Sequence, residues 1–572
     1  MVRGFRDGFF ALLLACLLAG CATVPTAGMV RKHDAPDQQV NSSVQVAPVP
    51  PAEGASEMLV VEGFLHAMGT DESGYHIARA YLTLAASSGW HPETGASVYA
   101  DGTLPTETES SVVLLATVVG TLDAGGVYQE APSQLRHDFG LVKNEQGQWR
   151  ISHPPNGLLI SRYHFTTFYT GVELHYLDPA GLSLVPDPRF FPTRADLPAI
   201  AVRAQLAGAN QWLAPAVRSR DFGGITVDRV SVTSKGLLEI SLGARSEALS
   251  EKDRRLLLAE LVQTAAGLPG ITAARISVDG SAWTLPGSIA TDLTPREFPG
   301  LSPVNPQAPG RLFVSRDSRV QEYDVDVNWS DSVPVAPALT RPGALAVRGD
   351  LGFLAAVSED QRRVLVSTPA GSVARVVATG SGMLRPNFSR HGELWVIGSG
   401  ATAAGFKVVR TEEGTSLRFA STKIPNDAVR AFRLAPDGVR MALILHREDS
   451  DELGIARVVR NGDSVSLQDF RSLAVFSSIE AGRRLLDVGW TTATQLLVLV
   501  SHPDQAMSVV RMDQDAALAE DVGPNEVRGL SELAVVPGRQ AVVRGAAGAY
   551  RYEGDFNWKL TLPNVDNVAY SG

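Results

Sequence analysis

Apolar residues change their spacing along the chain, and each spacing predicts a different kind of element. Within the first domain, residues 57–161, apolar side chains first recur every three or four positions, over 56–68 and again over 75–87, which predicts two amphipathic helices. The stretch SSVVLLATVVGTLD at 110–123 is rich in β-branched residues, and 137–152 predict two strands joined by a turn. Together these patterns predict a small α+β domain.

The order of helices followed by a curved sheet is similar to that of NTF2-like domains, in which the sheet forms a cone. Such a cone can enclose a ligand pocket. It can also be filled by the side chains of the domain itself, and this is the arrangement that we expect here. A ligand pocket inside the first domain remains the alternative.

Residues 162–285 predict a second domain in which strands and helices alternate. A strand pair breaks at 178–181, Asp-Pro-Ala-Gly, and Asp196 is a suitable N-cap for a helix with Pro198 in its first turn. A hairpin, a helix capped by Ser250 and a closing strand follow. This order predicts an α/β unit with two helices packed on one face of a sheet.

Residues 286–310 separate this second domain from a third. Prolines recur along the segment, and no apolar period is present. A chain of this composition buries little surface of its own and is stiffened by proline. The segment therefore predicts a Pro-rich linker that acts as a semi-stiff spacer.

Residues 311–572 predict an all-β domain built from repeats. Each repeat is a short strand, a turn and an apolar strand, and copies recur at about 35 to 55 residues, the spacing of propeller blades. In one copy, 436–438 form a Pro-Asp-Gly turn, and 439–445 are apolar on both faces, as in a strand covered by neighbouring blades. We expect about six blades, with five or seven as alternatives, and expect 565–572 to complete the blade that 310–324 begin.

The N-terminus has the pattern of an export signal. Two arginines precede an apolar run over residues 9–20, which has the length of a signal-peptide core and is too short to span a membrane. The sequence Leu-Ala-Gly-Cys at 18–21 looks like the site where bacterial lipoproteins are lipidated and cut. We expect residues 1–20 to be removed as a lipoprotein signal peptide and Cys21 to carry an S-diacylglycerol and an N-acyl group. An ordinary cleaved signal is the alternative.

Residues 21–56 predict a flexible tether behind this anchor. They are rich in Pro, Ser and Gln, have no helical or strand period, and cannot bury enough apolar surface to offset the entropy of ordering. Two or more acyl chains hold a protein stably on a bilayer. The sequence therefore predicts a globular body held by lipid on the extracytoplasmic face of the cell membrane.

Charge and motifs exclude several classes of function. The net charge is −10, and Lys and Arg form no run outside the extreme N-terminus, so nucleic-acid binding is excluded. The sequence has no H-E-x-x-H or G-x-S-x-G motif and no free thiol once Cys21 is lipidated; we expect no metal, no cofactor and no catalytic residue. His164 and His175 flank a predicted strand pair and are attributed to packing. Residues 398–403 fit G-x-G-x-x-A without a following helix, and predict a blade turn.

The order of these parts resembles the LpqB family of actinobacterial lipoproteins, and the resemblance covers essentially the whole chain. It includes VEGFL at 61–65 and ARAYLT at 78–83 in the first domain. Residues 172–189 and 201–215 resemble the opening of a GerMN domain, although Ala209 stands where such domains commonly have proline after glycine. Repeats of the kind seen at 435–438 resemble TolB-type propeller repeats.

The resemblance implies a fold and a function. The fold is multidomain: an NTF2-like α+β domain, a GerMN-like domain and a C-terminal β-propeller. Family members are accessory lipoproteins of the MtrA–MtrB two-component system that contact the extracellular domain of the membrane sensor kinase and influence envelope homeostasis and division. The expected protein is thus no enzyme; its partners are the kinase, the bilayer through Cys21, and a possible cell-wall ligand. A cell-wall receptor that binds peptidoglycan or peptide without kinase contact is the alternative, and a hydrolase is a third hypothesis.

Overall fold

A computed structural model describes most of the chain beyond the predicted tether. The described residues are 47–69, 73–109, 111–218, 224–304, 310–326, 329–448, 450–474, 482–504, 506–524 and 527–572. From Pro48 onward they form one compact unit. The predicted signal peptide, the lipidation site Cys21 and residues 22–46 of the tether lie outside the described residues. In the described part of the chain, no helix combines the length and the apolar character needed to cross a bilayer.

The first domain packs helices against a sheet, as its sequence pattern predicts. Its helices and strands are α1 (Glu57–Gly69), α2 (His76–Ala80), α3 (Leu84–Gly89), β1 (Gly95–Tyr99), β2 (Thr106–Glu107), β3 (Val112–Asp123), β4 (Tyr128–Asp138), β5 (Leu141–Lys143), β6 (Trp149–Ile151), β7 (Leu158–Ser161) and α4 (Arg162–Phe168). The sheet has the order β2-β3-β1-β7, with β4 also paired to β3, and β5 and β6 form a separate hairpin.

Side chains of the first domain fill its own interior. Phe64 on α1 is fully buried, together with Trp90 and Phe139, and the ring centroids of Phe64 and Trp90 lie 5.4 Å apart. The sequence predicts a flexible tether as far as residue 56, but the chain already contacts the first domain before that point. The Tyr81 hydroxyl donates a hydrogen bond to the Val49 carbonyl at 2.8 Å. Residues just before α1 therefore already lie against the domain.

The middle domain has the predicted alternation of strands and helices. Its elements are β8 (Tyr169–Leu177), β9 (Leu184–Pro192), α5 (Leu197–Ala207), β10 (Val227–Val232), β11 (Leu237–Leu242), α6 (Glu251–Ala266), β12 (Ala273–Val278) and β13 (Ser281–Ala282). β8 and β9 form a hairpin, and β10-β11-β12-β13 form a sheet in which β11 and β12 are parallel.

The two predicted helix caps of the middle domain have different outcomes. The Ser250 hydroxyl accepts a hydrogen bond from the Asp253 amide at 3.1 Å, so Ser250 caps α6 as predicted. Asp196 occupies the N-cap position of α5, but its side chain makes no capping bond. The carboxylate of Asp196 instead accepts from the Arg194 guanidinium, at 2.9 and 2.8 Å.

The Pro-rich segment after β13 differs from the spacer that its composition predicts. Leu293 is fully buried and pairs with Ala274 on β12 in an isolated antiparallel bridge. Thr294 and Glu297 form a capping box, and the Phe298 side chain is buried in the core of the middle domain. Leu293 and Phe298 thus hold this part of the segment on the domain. The composition of the segment does not predict that these two side chains are buried.

Residues beyond 310 form the predicted all-β propeller. Its strands are β14 (Leu312–Arg316), β15 (Arg319–Tyr323), β16 (Ser332–Val335), β17 (Ala344–Val347), β18 (Leu354–Val357), β19 (Arg363–Ser367), β20 (Arg375–Thr379), β21 (Asn387–Phe388), β22 (Glu393–Val396), β23 (Lys407–Arg410), β24 (Arg418–Thr422), β25 (Ala428–Leu434), β26 (Arg440–Arg447), β27 (Ser450–Asn461), β28 (Ser464–Ser472), β29 (Arg484–Trp490), β30 (Gln495–Ser501), β31 (Met507–Asp513), β32 (Ala519–Asp521), β33 (Glu532–Ala534), β34 (Val542–Gly545), β35 (Gly548–Gly554), β36 (Asn557–Pro563) and β37 (Asn567–Tyr570).

In the described residues, these strands form six sheets in a ring. The inner strands are β37, β17, β21, β25, β29 and β33, and each contacts the next around the circle. β37 pairs antiparallel with β14, so residues from the far end of the domain supply the inner strand of the first sheet, as the sequence predicts. β24 does not join β23; it pairs in parallel with β28 and thereby links the third sheet to the fourth.

The middle domain and the propeller share one hydrophobic core. Trp212 and Val172 from the middle domain belong to the same buried cluster as Val439, Ile455 and Trp490 from the propeller. The first domain is joined to the middle domain through β9, where the Phe190 amide donates to the Gly126 carbonyl at 2.7 Å. The three domains therefore pack against one another as one compact unit.

Candidate binding cavities at the domain junctions

The first candidate site is a cavity of about 500 Å³ at one end of the propeller ring, which we call the axial cavity. All six sheets reach it through the end of an inner strand or the residues just after it. Phe388, Trp490 and Val536 supply apolar walls, and Leu182 and Gly300 from outside the propeller line its other side. The volume is within the range of small-molecule pockets, about 300–1,000 Å³.

Two of the three arginines that line the axial cavity form ion pairs. Arg348 contacts Asp350 at 2.7 Å and Glu412 at 3.2 Å. Arg433 binds Asp487 at 2.9 Å, and burial lowers the pKa of Arg433 to about 10. The third, Arg390, forms no ion pair with a described residue and donates to the carbonyls of Leu182 and Ser302 at 3.0 and 3.1 Å.

Polar groups also occupy the middle of the ring. The Arg385 guanidinium donates to the carbonyls of Leu345, Leu533 and Val568 at 2.9, 2.7 and 3.0 Å. These carbonyls belong to the inner strands of three different sheets, so one side chain connects β17, β33 and β37. Glu532 accepts from the Val568 amide at 3.1 Å, and burial raises its pKa above the ordinary value. The centre of the propeller is thus a bonded network.

A buried hydrogen bond beside the axial cavity connects the middle domain to the propeller. Asp178 begins the β8–β9 turn, and its Oδ1 accepts from the amides of Leu182 and Ser183 at 2.5 and 2.8 Å. Its Oδ2 accepts from Nε2 of His391 in the propeller at 2.8 Å. Burial acts to raise the pKa of Asp178, but the hydrogen bonds from His391, Ser183 and Leu182 outweigh it and lower the pKa. One carboxylate therefore shapes the turn and docks it.

The second candidate site is a cavity of about 340 Å³ where all three domains meet, which we call the junction pocket. The first domain contributes Tyr128 and Glu130 among others, the middle domain contributes Trp212, and the propeller contributes Arg471 and Asp515. A neighbouring cavity of about 290 Å³ is lined by some of the same residues, including Asp515. The two cavities share Pro188, Gln514 and Asp515 as lining residues, and we call them together the recess.

The junction pocket also contains an arginine that forms no ion pair with a described residue. The Arg471 guanidinium lies over the Trp212 ring, 4.9 Å from its centroid, and no described residue offers it an ion pair or a side-chain hydrogen bond. Burial lowers the pKa of Arg471. Burial also raises the pKa of Asp515 to about 7, with help from the charge of Asp513 and against the hydrogen bond from the Ala517 amide.

The two histidines and the glycine-rich turn noted in the sequence lie in different parts of the structure. His164 lies beside His66, with ring centroids 5.9 Å apart, whereas the amide of His175 donates to Gln205 and Thr264, so the structure does not bring His164 and His175 together. Gly400 has φ of 76° in a turn between strands, as predicted for a blade turn. Within the described residues, no group of three His, Cys, Asp or Glu side chains could hold a metal ion.

Sequence reasoning missed the junction pocket altogether. Trp212 was covered only by the first-helix pattern of the middle domain, and Arg471 belongs to an outer strand of the propeller. One arginine in a strand pattern does not by itself indicate a binding site. The feature arises because residues from three separate parts of the sequence are packed together.

Family models match three successive parts of the chain. Residues 50–166 match the model described as Lipoprotein LpqB, N-terminal domain, and residues 316–561 match the Lipoprotein LpqB beta-propeller domain. Residues 173–283 match a model described as Sporulation and spore germination. The three matched ranges correspond to the first domain, the propeller and the middle domain.

Full-length relatives share the same organisation. A protein of Cutibacterium acnes named Lipoprotein LpqB is 32% identical, and the match covers 97% of each chain. A protein of the same name from Streptomyces avermitilis is 24% identical over 100% of this chain and 98% of its own. Among solved structures, TolB from Acinetobacter baumannii covers 57% of this chain and 86% of its own, with 14% identity and a TM-score of 0.30, too low for any argument.

Proposed function

The chain belongs to the LpqB family of lipoproteins, and we propose that it is a binding module anchored to the cell membrane. In this proposal it lies on the extracytoplasmic face and regulates a membrane sensor histidine kinase of the MtrA–MtrB type. The named relatives are lipoproteins, which supports attachment through lipid. The proposed attachment point is Cys21. The kinase, the outward orientation and the absence of catalysis are parts of the proposal.

The observation that carries the proposal is the packing of three domains into one body. The shared core of the middle domain and the propeller, and the buried contact between Asp178 and His391, fix the domains relative to one another. A partner bound to one domain can therefore influence a contact made by another. Such coupling is what a regulator needs, because a ligand shifts an equilibrium only when it prefers one of the two states.

Lipid anchoring supplies the second physical element of the proposal. A body tethered beside its partner has a high effective concentration, so a weak contact is populated without high affinity. The predicted tether of residues 21–56 would allow the body to reach neighbours on the same membrane. We therefore expect Cys21→Ala protein to fold normally and to lose signalling. Normal signalling by an exported, soluble Cys21→Ala protein would contradict this mechanism.

The second candidate function is a cell-wall receptor without kinase contact. The axial cavity favours it, since about 500 Å³ with apolar walls could accept part of a glycan or peptide. The two candidates differ in what they hold in the cell: a protein of the membrane in one case and peptidoglycan in the other.

Crosslinking in intact membranes separates these candidates. A photo-crosslinking residue is placed at Leu115, Val232 or Val373, which are exposed on the first domain, the middle domain and the propeller respectively. Capture of the extracytoplasmic part of a sensor histidine kinase from one of these positions, and its loss in Cys21→Ala cells, is the expected result. Capture of peptidoglycan fragments without any kinase would favour the receptor.

A further inference from the structure

The junction pocket contains a cation, Arg471, and an acid, Asp515, neither of which forms an ion pair with a described residue. We propose that this pocket binds a small zwitterion, an amino acid or a short peptide, with the carboxylate on Arg471 and the ammonium group toward Asp515. This inference goes beyond the proposed function and does not depend on the identity of the kinase. It rests on the geometry of the pocket.

Arg471 is held in a position suited to binding a carboxylate. Its guanidinium stacks over the Trp212 ring at 4.9 Å, and this arrangement leaves the edges of the planar group free to donate. The ring is itself fixed, because Nε1 of Trp212 donates to the Asp469 carbonyl at 2.8 Å. A fixed guanidinium with free edges can form two parallel hydrogen bonds to one carboxylate, the strongest arrangement available to this pair.

Other arginines at or beside the pocket form ion pairs with aspartates. Arg440, which also lines the pocket, binds Asp437, and Asp187, another lining residue, binds Arg189 at 2.7 Å. Arg471 is half-buried in the same place and has no such partner among the described residues. Burial lowers the pKa of Arg471, and the nearby charge of Asp469 offsets this only in part, so the partly desolvated cation remains costly. A carboxylate ligand would remove this cost.

Asp515 is the complementary group of the recess. Its Oδ1 accepts from the Ala517 amide at 3.0 Å, and no other described residue donates to this carboxylate from its side chain. Burial raises its pKa to about 7, so the carboxylate is poorly stabilised by the protein alone. An ammonium group beside Asp515 would favour its charged form. Glu130 also lines the pocket, and its carboxyl group disfavours a multiply charged anion such as phosphate there.

The walls and the volume suit a peptide-sized ligand. Pro186, Leu213, Ile455 and Leu473 line the junction pocket and offer apolar surface between the charged groups. Its volume of about 340 Å³ is at the lower end of the range for small-molecule sites, and the adjoining 290 Å³ adds room beside Asp515. Small apolar side chains fit these walls, so trialanine is a suitable probe.

Calorimetric titration of the full-length lipoprotein in detergent with trialanine tests the proposal. Trialanine is compared with trialanine amide, which lacks the carboxylate, and with N-acetyl-trialanine, which lacks the ammonium group. We expect saturable binding of trialanine and at least about tenfold weaker binding of each analogue, since each loses one charge-assisted contact. Absence of saturable binding up to about 10 mM, or equal binding of all three, would overturn the proposal.

Matched variants assign the two ends of the ligand. Arg471→Gln should weaken trialanine about tenfold or more and should not change the binding of trialanine amide. Asp515→Asn should weaken trialanine and leave N-acetyl-trialanine unchanged. Arg418→Gln, an exposed position on β24 of the same sheet, is the control and should bind like the parent. Parent-like trialanine binding by Arg471→Gln would overturn the assignment; Arg471→Lys, which keeps the charge, provides a second variant if Arg471→Gln does not fold.

Discussion

Nε2 of His391 lies 2.8 Å from Oδ2 of Asp178, and this contact fastens the propeller to the middle domain. Both side chains are buried, and Asp178 has no exposed surface. The same carboxylate orders the turn between β8 and β9, so docking and turn shape depend on one residue. Nearby, Arg390 of the propeller donates to the Leu182 carbonyl at 3.0 Å, which adds a second bond to the same turn.

Asp178→Asn should loosen the docking of the middle domain. The amide cannot replace the charge-assisted bond from His391 and also accept from two backbone amides, so we expect a loss of about 1–3 kcal/mol in the free energy of unfolding. Differential scanning calorimetry should show a lower transition temperature or a separate first transition. Asp228→Asn, an exposed position on β10, is the control and should melt like the parent.

Glu393 should make the propeller sensitive to acid. Burial opposes ionisation of this carboxyl, but hydrogen bonds from Arg460 and Trp395 hold its pKa at about 2, against an ordinary 4.5. A lowered folded-state pKa contributes stability above about pH 4.5, which is lost as the pH falls toward 2. Glu393→Gln should therefore cost about 3 kcal/mol at pH 7 and much less near pH 2 to 3.

Denaturant unfolding of parent and Glu393→Gln at several pH values measures this effect. The difference in free energy of unfolding should shrink steadily as the pH falls. A difference that stays constant between pH 7 and pH 3 would show that the variant acts through packing and not through the charge of Glu393.

Arg385→Met should weaken the ring of the propeller. The substitution removes the donor that three inner strands share and leaves the carbonyls of Leu345, Leu533 and Val568 with one partner fewer. The expected loss is about 3–5 kcal/mol, because buried acceptors and Asp487, 3.6 Å away, lose a charged partner. Thermal unfolding followed by circular dichroism measures it. Arg319→Met, at an exposed position on β15, should have little effect; an equal loss would contradict a specific role of Arg385.

Val568→Asp should prevent closure of the first sheet. Val568 is fully buried on β37, where it pairs with Val314 on β14. An unpaired carboxylate at this position would cost several kcal/mol, about as much as the whole β37–β14 pairing can supply. We expect protease sensitivity between the first and last sheets, detected by limited proteolysis. Val333→Asp, at an exposed position on β16, is the matched control and should resist protease like the parent.

The strand pattern of the propeller could be predicted, but its buried charges could not. Residues 439–445 are apolar on both faces in the sequence, and β26 is indeed buried on both faces. Arg440 starts this strand and is only 1% exposed, paired with Asp437 and bonded to the Ala493 carbonyl at 3.0 Å. Asp437 lies only three residues before Arg440, but the Ala493 acceptor in the next sheet is remote in sequence, and the local pattern does not show that this pair is buried.

The sites depend on tertiary packing even more than the fold does. The axial cavity requires the ends of six inner strands and a turn from the middle domain, and the junction pocket requires residues from all three domains. Periodicity identifies which strands exist but not which of their ends meet. The lipidation of Cys21, in contrast, is predicted from the local sequence alone, and it stays a prediction.

The pairing of β37 with β14 has a consequence for how the protein is made. The first sheet receives its inner strand from residues 567–570, so synthesis must have passed these residues before the ring can close. A chain exported from its N-terminus, as proposed, would have five complete sheets and one open edge before β37 emerges. During this interval β14 is paired with β15 alone, and its other edge presents free backbone groups to other strands. We therefore expect the first sheet to be the last part of the ring to close.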